Sequence, residues 1–246
     1  GYGNDAINGP FVSVPIPAGT PINTIGGSFP AFLAGGDFND AGVYYACTYG
    51  GALGVSSLVT VDITTGTATP IGSITGIAQY ATALDFNTAN DTWYYGETDG
   101  VTSNLYTVDV FTGTATLVGS LTGLGGLIGM AIDCNGNAYG VDINTDQLFS
   151  INLATAVAAP IGALGFDASY AQDADFDAAT GTMYLAAYNA GLGAGEFRSV
   201  DLTTGLTTFI TSWGGVEIDG FAIDNGCGAP CPIDPPSNPS PANGAT

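Results

Sequence analysis

Residues 61–76, VDITTGTATPIGSITG, and residues 108–123, VDVFTGTATLVGSLTG, are almost the same sixteen residues written twice, 47 positions apart. Three looser copies complete a series: VPIPAGTPINTIGGS from Val14, INLATAVAAPIGAL from Ile151 and VDLTTGLTTFITSW from Val200. The second residues of the five copies, Pro15, Asp62, Asp109, Asn152 and Asp201, step by 47, 47, 43 and 49. A fixed period of this size is the mark of a repeat architecture.

A second motif runs between the copies: AGGDFND, TALDFNT, MAIDCNG, DADFDAA and FAIDNG. Its aspartates are Asp37, Asp85, Asp133, Asp175 and Asp224, and the first four are followed by Tyr44, Tyr94, Tyr139 and Tyr184. The surrounding runs, such as VYYACTY and TMYLAAY, are aromatic and β-branched and too short for helices. One unit therefore reads as four strands, which in the second copy are YATALDF, DTWYYGE, NLYTVDV and TATLVGSL. The link between the last two strands, DVFTG, is a tight hairpin in which Asp bonds its own backbone and Gly takes positive φ. Gly66, Gly113 and Gly205 share that place, and Ala156 departs from it, so a different turn is expected there.

Four-stranded units at this spacing predict an all-β, five-bladed β-propeller. The chain opens with two outer strands, FVSVPIP and TPINTIGG, and ends with an inner strand, GFAID. Both ends thus build the fifth blade and seal the ring. Its second strand has no clear copy, and APCPID (residues 229–234) is the candidate. The expected division is an N-terminal arm over residues 1–10, the propeller over 11–227 and a Pro/Ser-rich tail or linker over 228–246.

The rhythm LDF…YY…LxxVDxxTG resembles that of the secreted YncE-like (YVTN-type) propeller superfamily across residues 11–226. The resemblance implies the fold and carries no ligand, because WD and PDG signatures are absent. The tail, SNPSPANGAT at its end, resembles the lead-in to fibronectin-III-like domains of bacterial surface proteins, which implies a natural chain continuing past Thr246. With no core of its own the tail reads as a connector, and self-association through it, giving an extracellular filament or layer, is expected.

Composition narrows the chemistry. Charged residues make up 9% of the chain, against roughly 25% in ordinary soluble domains, so Thr, Ser, Asn and Gly form the surface. Twenty-two acidic residues face one Arg, with no Lys and no His, for a net charge of −21. That field repels phosphate backbones, which argues against nucleic acid. No apolar run approaches a membrane span. Triads, Schiff bases and imidazole-held metals lack their residues. GLGAG at Gly191 has no helix after it and reads as a blade loop.

Carboxylates remain. The five periodic aspartates are expected to accept backbone N–H bonds in their hairpins. Acids that break the repeat, Asp173, Glu217 and Asp219 (with Gln79 and Gln172 nearby), are the candidates for glycoside hydrolysis, which needs two carboxyls about 5–10 Å apart. Glu217, Asp219 and Tyr170 form the expected ligand-binding set, with glycans as its partner class. Tyr49, Tyr80, Tyr170 and Trp213 are the aromatic residues nearest predicted loops. Calcium takes oxygen ligands alone and is the one cofactor left open, with Asp173, Asp175 and Asp177 of DADFD as its expected ligands. CGAPC predicts a Cys227–Cys231 disulfide and an oxidising compartment. NDT at Asn90 is a glycosylation sequon. Together these features point to a secreted, non-enzymatic surface propeller with a structural or adhesive role; a carbohydrate-binding or carbohydrate-cleaving propeller is the alternative.

Overall fold

The computed structural model describes residues 1–227 except 28, 30, 31, 51–54 and 225. Among these residues twenty strands form five antiparallel four-stranded sheets. The first blade holds β4 (Leu33–Phe38), β5 (Tyr44–Thr48), β6 (Ser57–Asp62) and β7 (Thr67–Ser73). The second holds β8 (Tyr80–Asn87), β9 (Thr92–Thr98), β10 (Ser103–Asp109) and β11 (Thr114–Ser120). The third holds β12 (Leu127–Ile132), β13 (Ala138–Asp142), β14 (Gln147–Asn152) and β15 (Val157–Ala163). The fourth holds β16 (Asp173–Asp177), β17 (Thr182–Asn189), β18 (Ala194–Val200) and β19 (Thr207–Gly214). The innermost strands touch in a closed ring: β4 on β8, β8 on β12, β12 on β16, β16 on β20 (Ile218–Ala222) and β20 on β4.

The fifth blade joins the two ends of the chain, in the order β20, β1 (Tyr2–Asp5), β2 (Phe11–Ser13), β3 (Asn23–Gly26). Its second strand is therefore Tyr2–Asp5, the segment expected to be an arm. Gly3 and Asn4 are poor strand formers, so composition hid it. Pairing decides the matter: Tyr2 sits opposite Ser13 on one side and Ala222 on the other. Asn4, fully buried, donates to the Gly9 and Pro10 carbonyls and accepts from the Leu33 N–H, tying this blade to the first. Residues 229–234, the candidate for that strand, and the tail 228–246 lie outside the described residues.

Each blade covers the apolar face of the next, which gives five hydrophobic clusters among the described residues. One joins Leu58 and Cys47 to Trp93 and Tyr95; another joins Val12 and Phe221 to Tyr184 and Phe197. The repeated tyrosines fill these seams. Tyr44 stands edge-on to Phe11 and Phe38, and its hydroxyl donates to the Gly220 carbonyl across the closure. Outer strands alternate half-buried and exposed residues, as in β7 and β11, which is where the Thr-rich sequence falls.

The five hairpins after the third strands are one turn. The N–H of Gly19, Gly66, Gly113, Ala156 and Gly205 returns to the carbonyl of Pro15, Asp62, Asp109, Asn152 and Asp201 at 2.6–2.8 Å. Ala156 adopts φ +54°, beside +73° at Gly113. The expectation of a different third turn is thus corrected. A Cβ on Gly113 would run into the Ser73 carbonyl of the preceding blade. Ala156 avoids that collision by facing Gly119, where a Cβ would stand 3.1 Å away, so a glycine on the neighbour makes room for an alanine in the turn.

Candidate functional site

The inner strands run parallel to the propeller axis, so their first residues meet at one end of the central channel and their last at the other. At the first end all five blades contribute to an open cavity of about 660 Å³. Blade five supplies Ile7, Glu217 and Asp219, and blade four supplies Tyr170. On the other side, Phe32, Tyr49 and Tyr80 form a continuous stack, with ring centroids 4.7 and 5.4 Å apart. Ile128 and Ile143 of the third blade line the remaining wall.

Sequence logic explains how these side chains arrive. Glu97, fully buried, accepts the Ala78 and Gln79 N–H groups at 3.0 Å and bonds from Asn104 and Tyr106. It thereby fixes the approach that delivers Tyr80 to the rim. Sequence reasoning passed over Glu97; its place in an apolar YYGET strand was the available signal. Tyr170 is two-thirds exposed, stands edge-on to Tyr188 at 5.3 Å and holds φ +56°, a conformation an aromatic residue seldom adopts. Thr82, on β8, is 4% exposed and its hydroxyl has no hydrogen-bond partner.

The mouth is acidic without a counter-ion. Asp99 at its edge accepts the Val101 and Thr102 N–H groups, which hold its carboxyl below the usual range. Desolvation pushes Glu217 up, opposed by a bond from the Ala171 backbone and reinforced by Asp5. Burial raises Asp219 well above an ordinary carboxyl, and Glu217 adds to it.

Below the mouth the channel fills with aspartates. Asp37, Asp85, Asp173 and Asp175 are buried and all are raised, first of all by desolvation. Asp37 reaches about 6. It accepts the N–H of Phe38 and, across the blade boundary, of Phe86 at 2.9 Å, and it pairs with Asp85 through a side-chain hydrogen bond. Asp175 likewise accepts from Phe176 and from Ile223 of blade five, at 2.6 Å. Two carboxyls in contact must share a proton. Of the periodic aspartates, Asp133 serves its own hairpin, accepting Asn135 and Asn137 N–H groups, whereas Asp37 and Asp175 bridge blades. The sole Arg takes no part: Arg198 pairs with buried Glu196 at 2.6 Å and lies 4.3 Å from the Phe166 ring centre.

At the far end a disulfide between Cys134 and Cys227 joins the third blade to the fifth. The expected Cys227–Cys231 bridge is corrected, since Cys227 is taken by a partner 93 residues away. Both cysteines follow inner strands and so converge at the same end of the channel, with Cα atoms 5.2 Å apart, well inside the range a disulfide spans. Local spacing in CGAPC gave no hint of this. Cys47 is a buried thiol, raised by desolvation.

Of the sequence candidates, Glu217, Asp219 and Tyr170 are brought together in one cavity. Asp173, Asp175 and Asp177 do not converge: among the described residues no group of three His, Cys, Asp or Glu side chains is arranged to hold a metal. Alternate strand positions lie about 6.6 Å apart; each of these carboxyls bonds nearby backbone, and Asp177 also takes the Thr180 hydroxyl at 2.6 Å. Gln79 turns away to Thr102, and Gln172 donates to Ser169 while its buried Oε1 has no partner. Trp213 packs on Phe197 and donates to the Gly19 carbonyl at 2.6 Å. Asn90 sits exposed on the β8–β9 turn.

No protein-family model matches the sequence, and no curated protein matches it. Solved structures do. A chain from a nidogen/laminin complex aligns with a TM-score of 0.59 at 12% identity, over 90% of this chain and 96% of that one. XC5397 of Xanthomonas campestris, described as a gluconolactonase, gives 0.57 at 11% identity, over 86% and 71%. A putative TolB from Agrobacterium tumefaciens gives 0.52 at 14%, over 85% and 76%. At such identities the likeness is one of fold: this is a β-propeller, a scaffold shared by an enzyme and by proteins of other roles.

Proposed function

We propose that this protein is a non-enzymatic adhesive module of the cell exterior that holds its target in the open mouth of the propeller. One observation carries the reading. All five blades converge on one aromatic and acidic cavity at one end of the channel, while at the other end a disulfide ties the third blade to the fifth. Convergent polar groups in a largely apolar concavity are the ordinary form of a binding site. A chain without Lys or His that carries a disulfide suits an oxidising, extracellular setting. Residues 228–246 serve in the same reading as the connector between copies.

Ile128→Trp and Ala6→Trp would each fill the mouth from a partly exposed position. Attachment of the labelled propeller to cell envelopes or extracellular matrix should fall at least about tenfold, the scale of losing one anchoring contact. Undiminished attachment would move the adhesive surface elsewhere. Turnover of a polysaccharide or lactone panel would make the protein an enzyme instead.

A further inference from the structure

We infer that the mouth is a site for a primary alkylammonium group carried on an apolar stem. This rests on the mouth being the binding face and adds the chemistry of what it holds. Acceptors predominate among the polar side chains that line the cavity: Glu217, Asp219 and Asp99 contribute carboxyl oxygens, and Thr82 a buried hydroxyl with no partner that can accept as well as donate. An ammonium has three N–H donors and no acceptor, which complements that set. No side chain elsewhere in the protein can play the part, since the chain has no Lys and its single Arg is committed to Glu196, and the Gly1 amino group is bonded to the Val14 carbonyl. The stacked rings of Phe32, Tyr49 and Tyr80, faced across the opening by Tyr170, provide apolar walls for the stem and π faces for the charge. A net charge of −21 draws cations toward the opening and repels anions.

A neutral polyol gains nothing from the charge of the carboxyls beyond ordinary hydrogen bonds, so its binding should not follow their ionisation. An ammonium does require that charged form. Binding should therefore tighten as pH rises from 5 to 7.5 and release protons as it does so. Glu217 and Asp219, both raised by burial, carry this titration; the acids around them are Asp5 on β1, Asp173 and Asp175 on β16, Asp37 on β4 and Asp99 after β9, while the Tyr44 phenol and Cys47 thiol on β5, pushed up by burial, stay neutral throughout it.

The test is calorimetric titration of the whole chain with n-butylammonium, Nα-acetyl-lysine amide, 1-butanol and glucose, at pH 5 and 7.5. Both ammonium compounds should bind, with 1-butanol weaker by about tenfold, the scale of one desolvated cation–π contact. Preference for the lysine compound over n-butylammonium would identify the source as a protein side chain, and the reverse a free amine; either supports the site. Glu217→Gln, nearly isosteric and still able to accept a backbone hydrogen bond, should erase most of the charge preference, and Asp219→Asn should do so further where it folds. Equal binding of 1-butanol and n-butylammonium, tighter binding at pH 5, or no ammonium binding at millimolar concentration would overturn the inference. If the mouth-filling variants still abolished attachment in that case, the mouth would stand as the adhesive face and only the ligand class would be wrong.

Discussion

The two ends of the channel are built from the same repeat and have opposite characters. Where the inner strands begin, the five units differ: Phe32 and Tyr49, Tyr80 and Thr82, Ile128, Tyr170, then Glu217 and Asp219. Where they end, the units agree. Each carries an aspartate at its periodic place, two of these bridge neighbouring blades, and a disulfide links the third blade to the fifth. Sameness at one end stabilises a ring; difference at the other makes a surface that can discriminate. The far end holds the scaffold and the mouth is free to act.

Removing the disulfide should break this contrast most visibly. Cys134→Ser or Cys227→Ser opens a loop of 93 residues and should cost about 2–4 kcal/mol. Urea unfolding would show the loss, while affinity at the mouth stays unchanged; an unmoved midpoint would mean the far end does not hold the ring. Next comes Asp85→Asn. Asp85 is buried, raised by desolvation, and has one oxygen without a partner. The amide donates to Asp37 without a shared proton, so stability at pH 7 should rise by about 1–2 kcal/mol, the cost of an unpaired buried polar group. A fall would show that the proton shared by the carboxyls is itself structural.

The channel also sets the pH dependence. Buried Asp37 titrates near 6 in the folded chain and near 3.9 unfolded. Its stabilising contribution is complete below the unfolded value and is lost as pH rises through the folded one. Exposed turn caps act in the other sense: Asp62, Asp99, Asp109 and Asp201 are lowered by hydrogen bonds, so their contribution is lost as pH falls below the ordinary carboxyl range. Maximal stability is expected between about pH 4 and 6, and urea midpoints measured from pH 3 to 8 would reveal a maximum near neutral pH if the channel carboxyls were solvated. The smallest effects belong to the mouth. Tyr170→Phe, on a ring 65% exposed, should change stability by less than about 0.5 kcal/mol, and a larger loss would give the mouth a structural role.

Much of the ring was legible because repetition is a statement about packing. The hairpin motif at Asp62 and Asp109, the aspartate series and the tyrosine strands located the blades, and the unfinished outer strands at the N-terminus foretold the closure. Three readings of the scaffold failed for local reasons. Tyr2–Asp5 was missed because a four-residue strand between two partners needs little propensity of its own. The third turn was misjudged because room for Ala156 comes from Gly119 on another strand. The disulfide was misassigned because proximity in sequence outranked proximity in space. At the mouth, the acids that break the period and Tyr170 were visible as separate candidates. Glu97 and the stack of Phe32, Tyr49 and Tyr80 were not.

The sequence alone determined five blades, a seam made from both ends and a chain with almost no positive charge, because periodicity and composition are properties of the string. Only the tertiary structure decided which carboxyls lose water, which cysteines meet and which aromatic rings share one opening. Those outcomes depend on distances across the axis, and residues brought together there come from different units, so no stretch of sequence records their encounter.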